Sequence, residues 1–150
     1  MKVVCLIDES EAAINALRFY LKGMHQADNE VHLFHAVIPP HLPIVSLTEL
    51  KVPVEQITDI MNKHNQKQKD LEITCTNLGQ EFSAKFIYKW EIVEKVKNIG
   101  DEAMKYIEEV KADLVVCGTR NLGRASKVIL GSVSEHVLKR TTCPVMIHKS

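Results

Sequence analysis

The stretch Asp113-Leu114-Val115-Val116-Cys117-Gly118 decides how the fold is interpreted. Four apolar residues run without interruption into a glycine, as in a strand that is covered on both faces of a parallel sheet. Thirteen residues after that glycine, Gly131-Ser132-Val133-Ser134-Glu135 opens a segment whose spacing predicts a helix over 132–140. A strand, a loop and a helix in this order form one βα unit of an α/β protein.

The same unit recurs on both sides of this stretch. Runs of apolar and β-branched residues predict five strands, at 3–7, 31–38, 85–90, 114–117 and 144–148. Helical spacing predicts four helices, from about 10 to 23, from 54 to 78, from 101 to 110 and over 132–140. Residues 91–98 fit either an extension of the third strand or an extra helical turn. We therefore predict a single α/β domain spanning 1–150, with an open five-stranded, mostly parallel sheet and helices on both faces.

Several helix ends are predicted from capping residues. Asp8 or Ser10 can cap the first helix, and Asp101 can cap the third. Ser132-x-x-Glu135 has the spacing of a capping box, in which two side chains satisfy backbone N–H groups reciprocally. These residues therefore predict where three of the four helices begin.

The second helix carries an apolar stripe that is broken by two polar residues, His64 and Gln68. Gly79 is its expected end, because glycine commonly follows the last helical turn. The apolar positions of the stripe are Val54, Ile57, Met61, Leu71, Cys75 and Leu78.

The formal net charge of zero conceals two oppositely charged parts of the chain. Residues 1–110 carry 12 basic and 17 acidic side chains, whereas residues 111–150 carry seven basic and two acidic ones. The neutral balance argues against a nucleic-acid binder that is driven by electrostatics. The local excess instead concentrates cations around the loop between Gly118 and Gly131.

Composition and spacing exclude several classes of protein and site. No run approaches the roughly 18 apolar residues of a membrane helix, and the residues before Asp8 are too few for a signal peptide. The four cysteines form no CxxC pair, which predicts reduced thiols in a cytoplasmic protein. The histidines lack HExxH and HxH spacing, so we expect no metal site built from side chains. The absence of GxSxG argues against a serine hydrolase.

The predicted site lies at the carboxyl ends of the strands, where parallel sheets bind ligands at a reversal of strand order. It therefore follows Ile7, Val37 and Cys117. Gly118 lets a ligand approach the backbone, and the first turn of the helix at Ser132 offers N–H groups and a positive dipole to a phosphate. Further donors and charges would come from Ser134, Arg120 and Arg124. The alternative is that the glycine only turns the chain, the serine only caps and the arginines are only solvated.

These residues resemble the universal stress protein family, whose hallmark is Gly, two residues, Gly, nine residues and Gly-Ser. Gly118 and Gly131-Ser132 keep that spacing, while Asn121 stands where the second motif glycine is expected. Asparagine tolerates the left-handed backbone that a glycine supplies. The resemblance extends over the whole chain and includes Leu6-Ile7-Asp8-Glu9-Ser10-Glu11, His35-Ala36-Val37, Gly100-Asp101 and Cys143-Pro144-Val145-Met146-Ile147.

The resemblance implies a site for ATP, with Mg²⁺ or Mn²⁺ bound through the phosphates. Leu6 and Asp8 would line the adenosine pocket, and Ala36 and Val37 would contact the base. The ribose and triphosphate would be held by Cys117, Gly118, Asn121, Gly131, Ser132 and Val133, with Arg120 and Ser134 as further donors.

Three functions remain open at this point. The first is a cytoplasmic, ATP-binding regulator of the stress response that acts as a nucleotide-dependent switch and is at most a slow ATPase, with the loop at 39–53 as a lid. The second is a homodimeric interaction protein that binds no nucleotide, a role favoured by Asn121, Glu9 and Ala36. Its chains would pair through Val145, Met146 and Ile147, a pairing that suits the first function too. The third is an enzyme that adenylates a substrate.

Overall fold

The computed structural model of the chain describes residues 1–40, 54–119 and 131–149. In these residues five parallel strands form one sheet in the order β3-β2-β1-β4-β5. The strands are β1 (Lys2–Leu6), β2 (Glu30–Val37), β3 (Phe86–Ile92), β4 (Leu114–Thr119) and β5 (Val145–Lys149). The helices are α1 (Glu11–Gly23), α2 (Val54–Glu81), α3 (Ile99–Val110) and α4 (Ser132–Arg140). The predicted α/β fold with an open five-stranded parallel sheet is confirmed.

Apolar cores on the two faces of the sheet attach the helices. Val3 and Leu33 belong to a core that includes Leu17 of α1 and Leu71 of α2. Their chain neighbours Val4 and Phe34 belong to a second core, which Ala103 of α3 and Val137 of α4 complete. Because successive strand residues point to opposite faces, continuous apolar runs are needed to bury both.

Strand β1 lies at the centre of the sheet, between β2 and β4. The chain proceeds outward from β1 to β2 and β3 and then returns to β4 on the other side. This reversal separates the connections on either side of β1 and leaves a crevice at the carboxyl ends of β1 and β4.

Ser10, and not Asp8, caps α1. Its hydroxyl accepts a hydrogen bond from the Ala13 N–H at 3.3 Å, and Asp8 Oδ1 accepts from the N–H of Ser10 at 2.9 Å and from its hydroxyl. The Asp8 carboxylate therefore orients the capping residue instead of capping the helix itself. The same hydrogen bonds help to position Asp8 just after the end of β1.

The prediction that Gly79 ends α2 is wrong, because the helix continues to Glu81 and the left-handed turn is made by Ser83, with φ at 53°. A Cβ on Gly79 would lie 3.0 Å from the carbonyl oxygen of Ala84, where the chain folds back on the helix. The glycine is thus explained by a close approach of the backbone rather than by helix termination.

The prediction that Asp101 caps α3 is also wrong. A short 3-10 helix at Val96–Asn98 leads directly into α3, which begins at Ile99. The carboxylate of Asp101 instead accepts from Arg140 of α4 at 3.0 Å. Residues 91–98 combine both open alternatives, because Glu91 and Ile92 extend β3 before the 3-10 turn.

Only the second half of α2 is packed on the sheet. Leu71, Cys75 and Leu78 are buried, whereas Met61 is exposed and Ile57 is only partly covered. The apolar stripe predicted along the whole helix is therefore confirmed at its end and wrong at Met61. In the described ranges, no helix is long and apolar enough to cross a membrane.

A buried histidine links β2 to α3 and to the surface. His32 Nδ1 lies 2.7 Å from the Tyr106 hydroxyl, and its Nε2 lies 2.8 Å from Oε1 of Glu30. The hydrogen bond with His32, and secondarily the charge of Lys2, lower the pKa of the Glu30 carboxyl. A lowered pKa in the folded state means that the carboxylate stabilises the fold at neutral pH, and this contribution is lost as the pH falls through that pKa.

We expect Glu30→Gln to flatten the acid limb of the stability profile. The wild type should lose free energy of unfolding more steeply than the variant between about pH 5 and about pH 3, as Glu30 becomes protonated. Urea unfolding at several pH values measures both profiles. Glu108→Gln on the exposed surface of α3 is the control, and equal slopes for wild type and Glu30→Gln would contradict the assignment.

Candidate functional site

A cleft of about 660 Å³ opens at the carboxyl ends of β1, β2 and β4. Its volume lies within the range of sites that hold small molecules and cofactors. Ten of the predicted site residues line it, namely Leu6, Asp8, Ala36, Val37, Cys117, Gly118, Gly131, Ser132, Val133 and Ser134. Arg120 and Asn121 lie outside the described residues, as does most of the loop predicted to be a lid.

The wall formed by β4 is apolar. Burial raises the pKa of the Cys117 thiol to about 11, so this thiol stays protonated at neutral pH and lines the cleft as a small hydrophobic group. Cys5 and Cys75 are buried as well, and none of the four cysteines is in a disulfide. These positions agree with the reduced thiols expected from the sequence.

Gly118 makes room for the start of helix α1. A Cβ at this position would lie 2.2 Å from the carbonyl oxygen of Ala12 and 2.8 Å from the amide nitrogen of Ala13. The first turn of α1 therefore occupies the space that a side chain would need. Strand β4 also continues through Gly118 to Thr119, so the prediction that the strand ends at this glycine is wrong.

The first turn of α4 faces the cleft without a capping side chain. Its N-cap is Gly131, which has no side-chain acceptor, and Ser132 is the first helical residue. The predicted capping box is thus wrong, because Ser132 lies one position too late and Glu135 accepts from Lys139 at 2.6 Å. The hydroxyl of Ser134 donates to the Gly131 carbonyl at 3.2 Å. The backbone N–H groups and positive dipole of this turn suit an anion.

The last turn of α4 carries two cations, and each is paired with a carboxylate. Lys139 pairs with Glu135 one turn earlier, and Arg140 pairs with Asp101 of α3. His136 packs against Gly100, where a Cβ would lie 2.7 Å from its ring carbons. Gly100 thereby allows α3 and α4 to approach closely.

Sequence reasoning missed His35 as a residue of the cleft. Its Nδ1 donates to the Ile7 carbonyl at 3.0 Å, and its ring meets the edge of Trp90 at a centroid distance of 5.2 Å. This bond ties the ends of β1 and β2 together beside Ala36. A histidine near the carboxyl end of an apolar strand indicates a possible site residue. The sequence does not show, however, whether its side chain faces the cleft.

Helix α2 contributes three further side chains to the cleft, His64, Lys67 and Gln68. The signal was present in the sequence, since His64 and Gln68 interrupt the apolar stripe. Val96, in the 3-10 turn, and Ile99, at the start of α3, add apolar surface to the cleft. Across the described ranges, no three His, Cys, Asp or Glu side chains gather as a possible metal site.

Strand β5 forms one edge of the sheet and pairs with β4. The three residues predicted to join two chains, Val145, Met146 and Ile147, lie in this strand and are only partly buried. Their position at a sheet edge is compatible with strand pairing between two copies.

Comparison with known proteins agrees with this architecture. The model of the universal stress protein family matches residues 1–149. A universal stress protein of Methanocaldococcus jannaschii is 27% identical over 99% of this chain and 81% of its own length. The universal stress protein YxiE of Bacillus subtilis is 26% identical over 97% of each chain.

Solved structures share the fold. A universal stress protein family protein from Arabidopsis thaliana, solved with AMP bound, has a TM-score of 0.70 at 19% identity, covering 99% of this chain and 91% of its own. The universal stress protein of Archaeoglobus fulgidus in complex with dAMP has a TM-score of 0.64 at 18% identity, covering 98% and 96%. At these identities the likeness concerns the fold alone, whereas the family match is made on the sequence. The chain belongs to the universal stress protein family.

Proposed function

We propose that this protein binds an adenine nucleotide in the cleft and acts as a nucleotide-dependent regulator. The observation that carries the proposal is the convergence of the uncapped first turn of α4 with the ends of β1, β2 and β4 around one cleft. Relatives of the same fold that were solved with AMP and dAMP support the choice of ligand.

The lining residues fit the parts of such a ligand. Ala36 and Val37 offer apolar surface to a base, and Leu6 and Cys117 extend that surface toward the ribose. The phosphates would face the N–H groups of Ser132, Val133 and Ser134, where the helix dipole favours negative charge. Asp8 lines the same cleft, where its carboxylate would accept from a ribose hydroxyl.

ATP with Mg²⁺ or Mn²⁺ is the nucleotide we propose. Asp8 and Glu9 line the same cleft, and their carboxylate charges would repel a bare polyanion. A divalent ion held by the phosphates reduces that repulsion, because it cancels part of the ligand charge. We assign no catalytic residue, so any hydrolysis should be slow. The reduced thiols favour a cytoplasmic location.

Gly131→Val tests the proposal. Gly131 has φ at −64°, and a Cβ would meet only Ser134 Oγ at 3.5 Å, so valine fits the backbone while its methyl groups crowd the turn that would hold phosphate. Calorimetric titration should give micromolar binding of AMP or ATP to the wild type and at least about tenfold weaker binding to the variant. Fluorescence of Trp90, the one tryptophan, provides a second readout through its contact with His35.

Gly23→Ala is the matched control, because a Cβ there meets no atom within 4 Å and the residue lies at the end of α1. Thermal unfolding should be similar for all three proteins. No detectable binding by the wild type at millimolar AMP and ATP, or equal binding by Gly131→Val, would refute the proposal.

A second candidate function, assembly without a nucleotide, is favoured by the position of β5 at one edge of the described sheet. In this case purified protein should be dimeric in sedimentation equilibrium and carry no nucleotide. Ultraviolet absorbance of the supernatant after acid denaturation distinguishes the two functions. Met146→Lys should dissociate a β5-linked dimer, and a variant that stays dimeric would place the interface elsewhere.

A further inference from the structure

The first half of α2 projects beyond the sheet and over the cleft. Its 28 residues span about 42 Å, whereas the eight residues of β2 span about 26 Å. Because β2 and β3 are parallel, α2 starts near the carboxyl end of β2 and ends near the amino end of β3. With its second half packed on the sheet through Leu71, Cys75 and Leu78, its first half has to extend past the strand ends.

Two polar side chains of the projecting half form a pair in the cleft wall. Gln68 Nε2 lies 2.8 Å from His64 Nε2, and both residues are partly buried. An amide nitrogen can only donate, so Nε2 of the His64 ring is the acceptor of this hydrogen bond. The pair therefore fixes the orientation of the Gln68 amide and leaves a second N–H and the carbonyl Oε1 for another partner.

The end of β2 lines the same cleft, where Val37 alternates onto the face of the sheet that α2 covers and Ala36 onto the face that α3 and α4 cover. An oriented amide beside a base has a specific chemical complement. Adenine presents an amino donor next to a ring-nitrogen acceptor, which matches the carbonyl and N–H of glutamine in a bidentate pair. Guanine presents O6 where adenine has its amino group, so two acceptors would face each other.

We infer that Gln68 reads the edge of the purine base and makes the cleft selective for adenine over guanine nucleotides, with His64 as the positioning residue that orients its amide. The inference rests on the proposed nucleotide function and adds to it a determinant of base identity that lies on α2. His64 acts through Gln68, since its Nε2 is occupied by the amide.

Titration of AMP and GMP against wild type, Gln68→Ala and Gln68→Glu tests the inference. The wild type should bind AMP at least about tenfold more tightly than GMP. Both variants should lose most of that ratio through weaker AMP binding, with GMP binding changed by less than about twofold. Glutamate keeps the size of the side chain but cannot donate, so its loss of selectivity would not come from a cavity. His64→Ala should reduce the same ratio, because the amide is then free to rotate.

Gln66→Ala is the matched control. Gln66 lies on the exposed surface of α2, donates to Asp70 at 2.7 Å and is absent from the cleft wall. Its AMP to GMP ratio should equal that of the wild type. If the wild type binds neither nucleotide, the proposed function and this inference both fail. If it binds AMP and the ratio survives Gln68→Ala, or if both affinities fall together, the proposed function stands and the inference is overturned.

Discussion

Gly118→Ala should destabilise the protein by about 3 kcal/mol or more, corresponding to a fall in Tm of about 10 °C. The added Cβ would lie 2.2 Å from the carbonyl oxygen of Ala12, a distance that atoms do not tolerate. The opposing atom belongs to the backbone at the start of α1 and has no rotamer to change. Either α1 moves away from β4 or the strand does, and both lose buried contacts. Urea unfolding monitored by circular dichroism measures the change.

The result separates two explanations of this glycine. If Gly118 were needed only so that a ligand can approach the backbone, alanine would leave the free energy of unfolding unchanged and would weaken nucleotide binding alone. Gly23→Ala provides the baseline, since a Cβ there contacts nothing within 4 Å. That variant should be neutral or slightly more stable, by up to about 1 kcal/mol, because alanine restricts the unfolded chain.

Leu71→Ala should lower the free energy of unfolding by about 3 kcal/mol, an effect as large as that of Gly118→Ala. The side chain is only 4% exposed and anchors α2 in the core that β1, β2 and α1 share. Truncation removes its apolar contacts and leaves a cavity between helix and sheet. Because the same anchor positions the projecting half of α2, the variant should also bind AMP more weakly if Gln68 reads the base. Chemical unfolding and calorimetry measure the two effects.

Met61→Ala is the comparison on the same helix. Met61 is 37% exposed and lies in the projecting half, so its truncation should cost less than about 1 kcal/mol. Equal losses for Leu71→Ala and Met61→Ala would contradict the division of α2 into an anchored and a projecting half.

The strands and their stacking between helices were predictable from the sequence because they depend on local patterns. Val3-Val4-Cys5 and Leu114-Val115-Val116 are apolar at every position, and only a strand covered on both faces buries such a run. Because the strands are parallel, all their carboxyl ends lie at the same edge of the sheet. This is why ten predicted residues from β1, β2, β4 and α4 line one cleft.

Helix ends and the purpose of individual glycines were less predictable. Gly79 is the residue type of a helix stop, yet it lies against the backbone of Ala84, where the chain folds back on α2. Asp101 is the residue type of a helix cap, yet it pairs with Arg140 of α4. Each of these outcomes depends on a partner that local spacing does not reveal. Capping preferences amount to about 1 kcal/mol, and tertiary contacts of similar size override them.

The sequence by itself determined the alternation of strands and helices, the parallel sheet and the edge at which the cleft opens, since periodicity and chain direction are properties of neighbouring residues. Only the tertiary structure decided that Gly118 makes room for α1 and that His64 and Gln68 face the cleft. The physical reason is that both depend on the distance between elements far apart in the chain. That distance is set by how the cores pack on each face of the sheet, where a separation of one ångström decides whether a side chain fits.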